Sequence, residues 1–167
     1  MRARWHGRGM QKIKDAATEF LAHKRVAVTG VSRSSKDHGA NVVYQRLRSR
    51  GYAVFAINPN ADEVEGDPCY HDLGSIPGGV EAVVIGTSPE HADQTMRDCA
   101  ELGVGHVWMH RGPGGGSVSA TAAAYGREHG IAVIDGGCPC MFGPTSDPGH
   151  KAMRVVLTIS GNVPRRV

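Results

Sequence analysis

The stretch that decides the fold runs from Arg25 to Gly39 and reads RVAVTGVSRSSKDHG. Its first five residues, RVAVT, are mostly β-branched, which predicts a short, buried strand. Gly30 ends that strand, and the polar residues 31–39 follow as a turn before a helix predicted at 41–50. A buried strand that leads through a polar turn into a helix is the first half of a βαβ unit.

The rest of the chain repeats this alternation of strand and helix. Further strands are predicted at 52–57, 80–85, 106–109 and 131–134, with a short one near Cys69 and Tyr70. Helices are predicted at 11–23, 89–103, 117–129 and 148–161. Alternation of this kind predicts a parallel sheet with right-handed crossovers. We therefore expect an α/β protein with a single Rossmann-like domain at 11–161, a five- or six-stranded parallel sheet, and helices on both of its faces.

Composition and charge exclude several classes of protein. The chain has 167 residues, which suits one domain. Its formal charge is +3, but five arginines lie in the terminal segments 1–10 and 162–167, so the remainder carries −2. We interpret these segments as basic tails, whereas a nucleic-acid-binding protein would carry its cations on a folded face.

No apolar stretch reaches the roughly 20 residues of a membrane span, and four irregularly spaced cysteines do not form a disulfide framework. The expected location is the cytoplasm.

The polar segments that follow the strands predict where a ligand would bind. Open parallel sheets bind ligands at the carboxyl ends of their strands. Here those ends are residues 30–39, 58–60, 87–89 and 110–116, which are rich in Gly, Pro, Ser, Thr and Asn. Exposed backbone amides and short hydroxyls suit phosphate and nucleotide binding better than acid–base chemistry.

The first of these segments could hold an anion. It leads into a helix, whose N-terminal amides attract negative charge, and Arg33 and Lys36 add cations. The alternative is an ordinary turn with solvated charges. The glycine spacing of a dinucleotide-binding loop is absent, and the second strand ends in Asn58-Pro59 rather than in an acid for a ribose diol. Both features disfavour NAD.

Several stretches of the chain resemble the CoA-binding-domain proteins, a family of stand-alone Rossmann-type domains similar to the CoA-binding half of the succinyl-CoA ligase α subunit. The stretches are VAVTGVSRSSKDHGANVVYQRLRSRGYAVFAINPN, VEGDPCYHDLGSIP, VEAVVIGTSPEHA, LGVGHVWMHRG and GIAVIDGGC. They occur in the family's order and spacing over roughly residues 15–140. The sequence differs from many relatives in having His38 before Gly39 and in its loose glycine run at 112–116.

The resemblance implies a site for coenzyme A. Residues 31–33 would hold the phosphates, Asn58 and Pro59 would border the adenosine, and residues 87–89 would lie along the nucleotide or the pantetheine arm. His110 ends the fourth strand, where it would either contact the ligand or lie in a solvated loop. The candidate ligand-binding residues are Gly30, Val31, Ser32, Arg33, Lys36, Gly39, Asn58, Pro59, Thr87, Ser88, Pro89, His110 and Cys138.

The expected function is therefore CoA or acyl-CoA binding, as a carrier, a sensor or a regulatory subunit. In the ligase, the phosphohistidine and the nucleotide-grasp subunit belong to further domains, so we do not expect a complete catalytic site here. One alternative is an NAD(P)-dependent oxidoreductase that uses the same crevice. Another is an interaction subunit of an acyl-CoA ligase or acetyltransferase complex, and a protein partner or a homo-oligomer is compatible with either.

The cysteines have competing interpretations. Cys138-Pro-Cys140, followed by His150, resembles part of a metal site, but a structural zinc site needs four ligands, so no metal is expected. The favoured interpretation of Cys138 is a small buried residue. The alternative is a thiol that could form a mixed disulfide with CoA by thiol–disulfide exchange. Cys99 is expected in the core, and Asp147 is expected to cap the last helix and pair with His150.

Overall fold

The computed structural model describes residues 10–34, 39–112 and 115–167. Its helices are α1 (Ile13–Ala22), α2 (Gly39–Ser49), α3 (Pro89–Glu101), α4 (Ala120–Glu128) and α5 (Pro148–Ile159). Its strands are β1 (Arg25–Thr29), β2 (Ala53–Ile57), β3 (Glu63–Val64), β4 (Asp67–Tyr70), β5 (Ala82–Ile85), β6 (His106–Met109), β7 (Arg111–Gly112), β8 (Gly115–Gly116) and β9 (Ala132–Asp135). Every predicted helix and strand is present, with shifts of a few residues at the ends.

Seven of the strands form one sheet in the order β3-β4-β2-β1-β5-β6-β9. All neighbours in this sheet are parallel except β3 and β4, which form an antiparallel hairpin at one edge. The hairpin turn consists of Glu65 and Gly66, which both have positive φ, as a type I′ hairpin turn requires. This Rossmann-like α/β fold confirms the predicted class. The sheet has more strands than predicted because the connection after β2 folds back onto the sheet edge.

Each face of the sheet has its own hydrophobic core. On one face, Val26, Val28 and Trp108 pack with apolar residues of α1, α2 and the segment after β9. On the other face, Ala27, Val83 and Val107 pack with α3 and α4. Neighbouring residues of a strand point to opposite faces, so strands covered on both sides are apolar throughout. The helices therefore cover both faces, as predicted.

The C-terminal segment 162–167, which we interpreted as a basic tail because of its arginines, packs beside the start of α1. Gln11 and Val167 exchange backbone hydrogen bonds of 2.8 and 2.9 Å, and the side chain of Val163 is buried. Residues 1–9 of the N-terminal segment lie outside the described residues. Among the helices that the structure describes, none is both long enough and apolar enough to cross a membrane.

Candidate functional site

A cavity of about 380 Å³ opens at the carboxyl edge of the sheet. Its volume is within the range of roughly 300–1,000 Å³ that small-molecule sites occupy. The lining residues come from the start of α2, from the segments after β5, β6 and β9, and from α5. They are Gly39, Ala40, Val42, Gly86, Thr87, Ser88, His110, Gly112, Gly115, Gly116, Ser117, Cys138, Met141, His150 and Met153.

Close backbone packing brings the segments after β1 and β5 together at one side of the cavity. A Cβ atom at Gly86 would lie 2.5 Å from the Thr29 carbonyl oxygen and 2.6 Å from the Ala40 Cβ. The Gly86 amide also donates a hydrogen bond of 3.1 Å to Thr29 Oγ1. Because Gly86 has no side chain, the N-terminus of α2 can approach the segment that contains Thr87 and Ser88.

The hydroxyl of Thr87 has an unusual position in this wall. Its Oγ1 is buried and has no hydrogen-bond partner among the described residues. Burying a hydroxyl without a partner costs roughly 1–3 kcal/mol in proteins. The neighbouring Ser88 is at the N-cap of α3, but its hydroxyl pairs with His91 Nδ1 at 2.8 Å rather than with a backbone amide. Thr87, which lines the cavity, therefore carries a polar group that has no partner among the described residues.

The imidazole of His110 lies against the N-terminus of α2, where a Cβ atom at Gly39 would be 2.8 Å from His110 Cε1. Burial, and the nearby charge of His150, lower the pKa of His110 to about 4. At neutral pH the ring is therefore uncharged and can act as either a donor or an acceptor. The backbone of His110 is held by hydrogen bonds with Ile85 and Ser117.

The loop after β1 is held by two asparagine side chains. The fully buried Asn41 accepts from the Ser32 amide and donates to the Ser32 carbonyl, both at 2.8 Å. The amide of Asn58 donates to the Val31 carbonyl at 2.9 Å. The Val31 side chain is buried, whereas Arg33 is exposed. Val31 and Ser32 are thus joined to the segment after β2 and to the start of α2.

The structure brings five of the candidate ligand-binding residues to the cavity: Gly39, Thr87, Ser88, His110 and Cys138. Seven others lie at the same edge of the sheet without lining it: Gly30, Val31, Ser32, Arg33, Asn58, Pro59 and Pro89. Lys36 lies outside the described residues.

Cys138, Cys140 and His150 form a cluster at the far side of the cavity. Their ligand atoms lie within 4.8 Å of one another. A hydrogen bond with Cys140, together with burial, raises the pKa of the Cys138 thiol well above its usual value. The same hydrogen bond, helped by the positive charge of Arg46, lowers the pKa of Cys140. If a thiol of this pair exchanges with a disulfide, these shifts favour Cys140 as the thiolate over Cys138.

The charged side chains of Asp147 and Arg46 support this cluster. Asp147 caps α5 by accepting from the His150 amide, and its carboxylate also contacts His150 Nδ1 at 2.6 Å. Arg46 of α2 forms an ion pair of 2.7 Å with the same carboxylate. The backbone amide and the imidazole of His150, together with Arg46, hold the pKa of Asp147 at about 2. The predicted pairing of Asp147 with His150 is confirmed.

Sequence reasoning missed the part of the cavity built by the segment after residue 140. Met141, His150 and Met153 line it, and the sequence assigned that segment no role in binding. Gly86 was also missed, although a glycine directly after a buried strand is a signal for close backbone approach. The glycine-rich run contributes Gly112, Gly115 and Gly116, and its described residues include the short antiparallel pair β7–β8.

Comparison with known proteins gives matches over most of the chain. Residues 24–144 match a family model described as a CoA binding domain. The ADP-forming acetate–CoA ligase II of Archaeoglobus fulgidus is 29% identical over 119 residues, which are 66% of this chain and 18% of the ligase. The α subunit of the ADP-forming acetate–CoA ligase II of Pyrococcus furiosus is 31% identical over 85 residues, which are 51% of this chain and 19% of the subunit. The chain thus spans about a fifth of the length of these curated relatives.

A solved structure shares the fold. A hypothetical protein from Pyrococcus horikoshii OT3 superposes with a TM-score of 0.69 at 23% identity, over 79% of this chain and 93% of that chain.

Proposed function

The chain belongs to the CoA-binding domain family, and on that premise we propose that it binds coenzyme A or an acyl-CoA at the carboxyl edge of its sheet. The observation that carries the proposal is the cavity of about 380 Å³ beside the Thr87 hydroxyl, which is buried without a partner among the described residues. A ligand polar group that reaches this hydroxyl would remove the cost of leaving it unpaired.

The chemistry of the sheet edge suits the two ends of coenzyme A. The phosphorylated nucleotide would lie over the loops after β1 and β2, where Arg33 is exposed and Asn58 holds the loop in place. The uncharged pantetheine arm would enter the cavity, past Thr87 and Gly39. Its thiol would then lie on the side of His110 and Cys138.

The lining of the cavity fits a binding role. Among the described residues that line it there are hydroxyls, imidazoles, a thiol, methionines and glycines, and no carboxylate. Acid–base catalysis by paired carboxylates therefore has no groups here. We propose that the protein acts as a carrier or sensor of CoA, or as a regulatory subunit that presents CoA to a partner.

A second candidate role is that of a module in an acyl-CoA ligase assembly. This role is favoured by the similarity to a ligase α subunit, because the matched residues make up only 19% of the length of that subunit. In this role the other catalytic parts would come from partner chains. Affinity purification from the source organism would identify a ligase subunit bound in stable stoichiometry, and a chain recovered without any such subunit would contradict this role.

Calorimetric titration with CoA, acetyl-CoA, NAD and NADP tests CoA binding directly. We expect CoA or acetyl-CoA to bind more tightly than either dinucleotide, because the loop after β1 lacks the dinucleotide glycines. Mass spectrometry of the small molecules released from freshly purified protein would identify a retained ligand. Equal or tighter binding of NAD would overturn the proposal.

A further inference from the structure

We propose that Cys138, Cys140 and His150 form a binding site for a thiophilic divalent cation, with Zn²⁺ as the first candidate. The sequence supplies three such residues and therefore too few for a closed structural zinc site. Three protein ligands are, however, the number found in zinc sites that keep one coordination position open. This inference does not depend on CoA binding.

The spacing of the three side chains suits tetrahedral coordination. Their ligand atoms lie within 4.8 Å of one another. Zn–S bonds of about 2.3 Å place two sulfurs of a tetrahedral site roughly 3.8 Å apart. Side-chain adjustments of about an ångström or less would therefore bring the three ligands to a common ion.

The backbone around the cluster is fixed before any metal binds. A 3₁₀ turn at Pro139–Met141 holds the two cysteines, with the Met141 amide bonded to the Cys138 carbonyl at 2.9 Å. The buried hydroxyl of Thr145 donates to the carbonyls of Pro139 and Phe142. His150 lies in the first turn of α5, which Asp147 caps. Little ordering entropy would thus be lost on metal binding.

Asp147 gives His150 the partner that metal-binding histidines have. Such a histidine usually donates its other ring N–H to a carboxylate, which fixes the tautomer and orients the ring. Here Asp147 contacts Nδ1 at 2.6 Å, so the lone pair of Nε2 remains for a metal. The ion pair between Arg46 and Asp147 at 2.7 Å holds the carboxylate in turn.

The chemistry of the ligands selects the class of ion. Two thiolates and an imidazole suit Zn²⁺ and other thiophilic ions, whereas Mg²⁺ and Ca²⁺ prefer oxygen ligands. On binding, both thiols would release their protons to solvent, and the charge of the ion would balance the two thiolates. Arg46 and Asp147 already balance one another, so the site would be electrically neutral.

The open coordination position would face the ligand cavity, because Cys138 and His150 both line it. Water or a thiolate from a bound ligand could occupy that position. The site would then be of the open type, in which the metal can take a small molecule as its fourth ligand.

Cobalt and zinc binding to the reduced, metal-stripped, untagged full chain tests the proposal. We expect one Co²⁺ per chain, with a sulfur-to-cobalt charge-transfer band that Zn²⁺ abolishes by displacement. Cys140→Ser and His150→Gln should each weaken binding at least about tenfold. Cys69→Ser and Cys99→Ser are matched controls, since neither residue belongs to the cluster, and they should bind as the wild type does.

Two outcomes would overturn the proposal. One is a wild type without a thiolate–cobalt band, and the other is unchanged metal binding in both Cys140→Ser and His150→Gln. Cys138 and Cys140 are 4% and 1% exposed, so a serine there could disturb folding. His150→Gln alters a half-buried helix residue instead, and circular dichroism would verify its fold. X-ray absorption of the zinc-loaded protein should show two sulfurs at about 2.3 Å and one nitrogen at about 2.0–2.1 Å, whereas a shell of oxygen alone would contradict the site.

Discussion

Gly30 and Gly86 face each other so closely that a Cβ atom at Gly30 would lie 2.5 Å from the Gly86 carbonyl oxygen. Gly30 also has a φ of +77°, a backbone angle that residues other than glycine rarely adopt. Two neighbouring strands, β1 and β5, are thus each followed by a glycine, and the close approach of these glycines fixes where the two following segments begin.

Gly86→Ala should destabilise the fold, because its Cβ would overlap the Thr29 carbonyl and the Ala40 side chain. Overpacking of this kind costs roughly 1–3 kcal/mol in the free energy of unfolding. Urea denaturation would measure the loss. Gly105→Ala is the matched control, since nothing lies within 4 Å of its Cβ position and its φ is not positive. Equal stability of the two variants would show that the loops adjust freely.

Arg33→Ala should weaken CoA binding about tenfold or more, because a direct hydrogen bond from a cation to phosphate is worth roughly 1.5–3 kcal/mol. Calorimetry with CoA and with dephospho-CoA would show whether the 3′-phosphate is the contacted group. Arg50→Ala, an exposed arginine after the opposite end of α2, should leave both affinities unchanged. A variant at Arg33 that binds both ligands as the wild type does would place this side chain in solvent.

Thr87→Val should separate stability from binding. The substitution keeps the shape and removes a buried hydroxyl that has no partner among the described residues, so the ligand-free protein should be as stable or up to about 1 kcal/mol more stable. If the ligand uses this hydroxyl, CoA affinity should fall by about five- to tenfold, whereas Thr87→Ser should retain it. Thermal unfolding and calorimetry measure the two effects, and a valine variant with full affinity would exclude the contact.

His110 should make the metal-free protein less stable in mild acid. Burial, and the charge of His150, lower its folded pKa from 6.5 to about 4. Between these values the unfolded chain binds the extra proton, so the free energy of unfolding should be fully present above pH 6.5 and should fall as the pH drops toward 4. The loss is on the order of 3 kcal/mol.

Chemical denaturation with a chelator present, at pH values from 7 to 4, would measure the dependence on His110. The difference between the wild type and His110→Gln isolates this residue from other titrating groups. The same slope in both proteins would show that His110 does not carry the effect.

Asp147→Asn should weaken metal binding without loss of the helix cap. Asparagine caps helices about as well as aspartate, but it lacks the charge that orients His150. A carboxylate that hydrogen-bonds to a metal-binding histidine contributes roughly 10- to 100-fold in metal affinity. Competition with a coloured zinc chelator would measure the change, and circular dichroism would check the helix. Wild-type affinity in this variant would mean that the carboxylate does not support the metal site.

The sequence by itself determined the order of elements and the parallel sheet, and it predicted the edge at which a ligand would bind. Apolar residues at a period of 3.6 give each helix a face to bury, continuous apolar runs mark the strands buried on both faces, and Gly30 and Gly51 end their elements locally. The segments after the strands could therefore be proposed as a ligand site, each from its own local sequence. The family resemblance added coenzyme A as the ligand, and the matching family model supports it.

The tertiary structure decided which of these side chains meet. Asn41 and Asn58 hold the loop after β1, an arrangement that depends on the packing of α2 and β2. The Thr87 hydroxyl is buried without a partner among the described residues, which no local sequence pattern encodes. His150 lies near Cys138 and Cys140 because α5 packs beside the segment that carries them. Arg46, which belongs to α2, forms an ion pair with Asp147, and Asp147 in turn contacts His150. Periodicity specifies burial within one element, whereas contacts between distant elements are specified only when those elements pack.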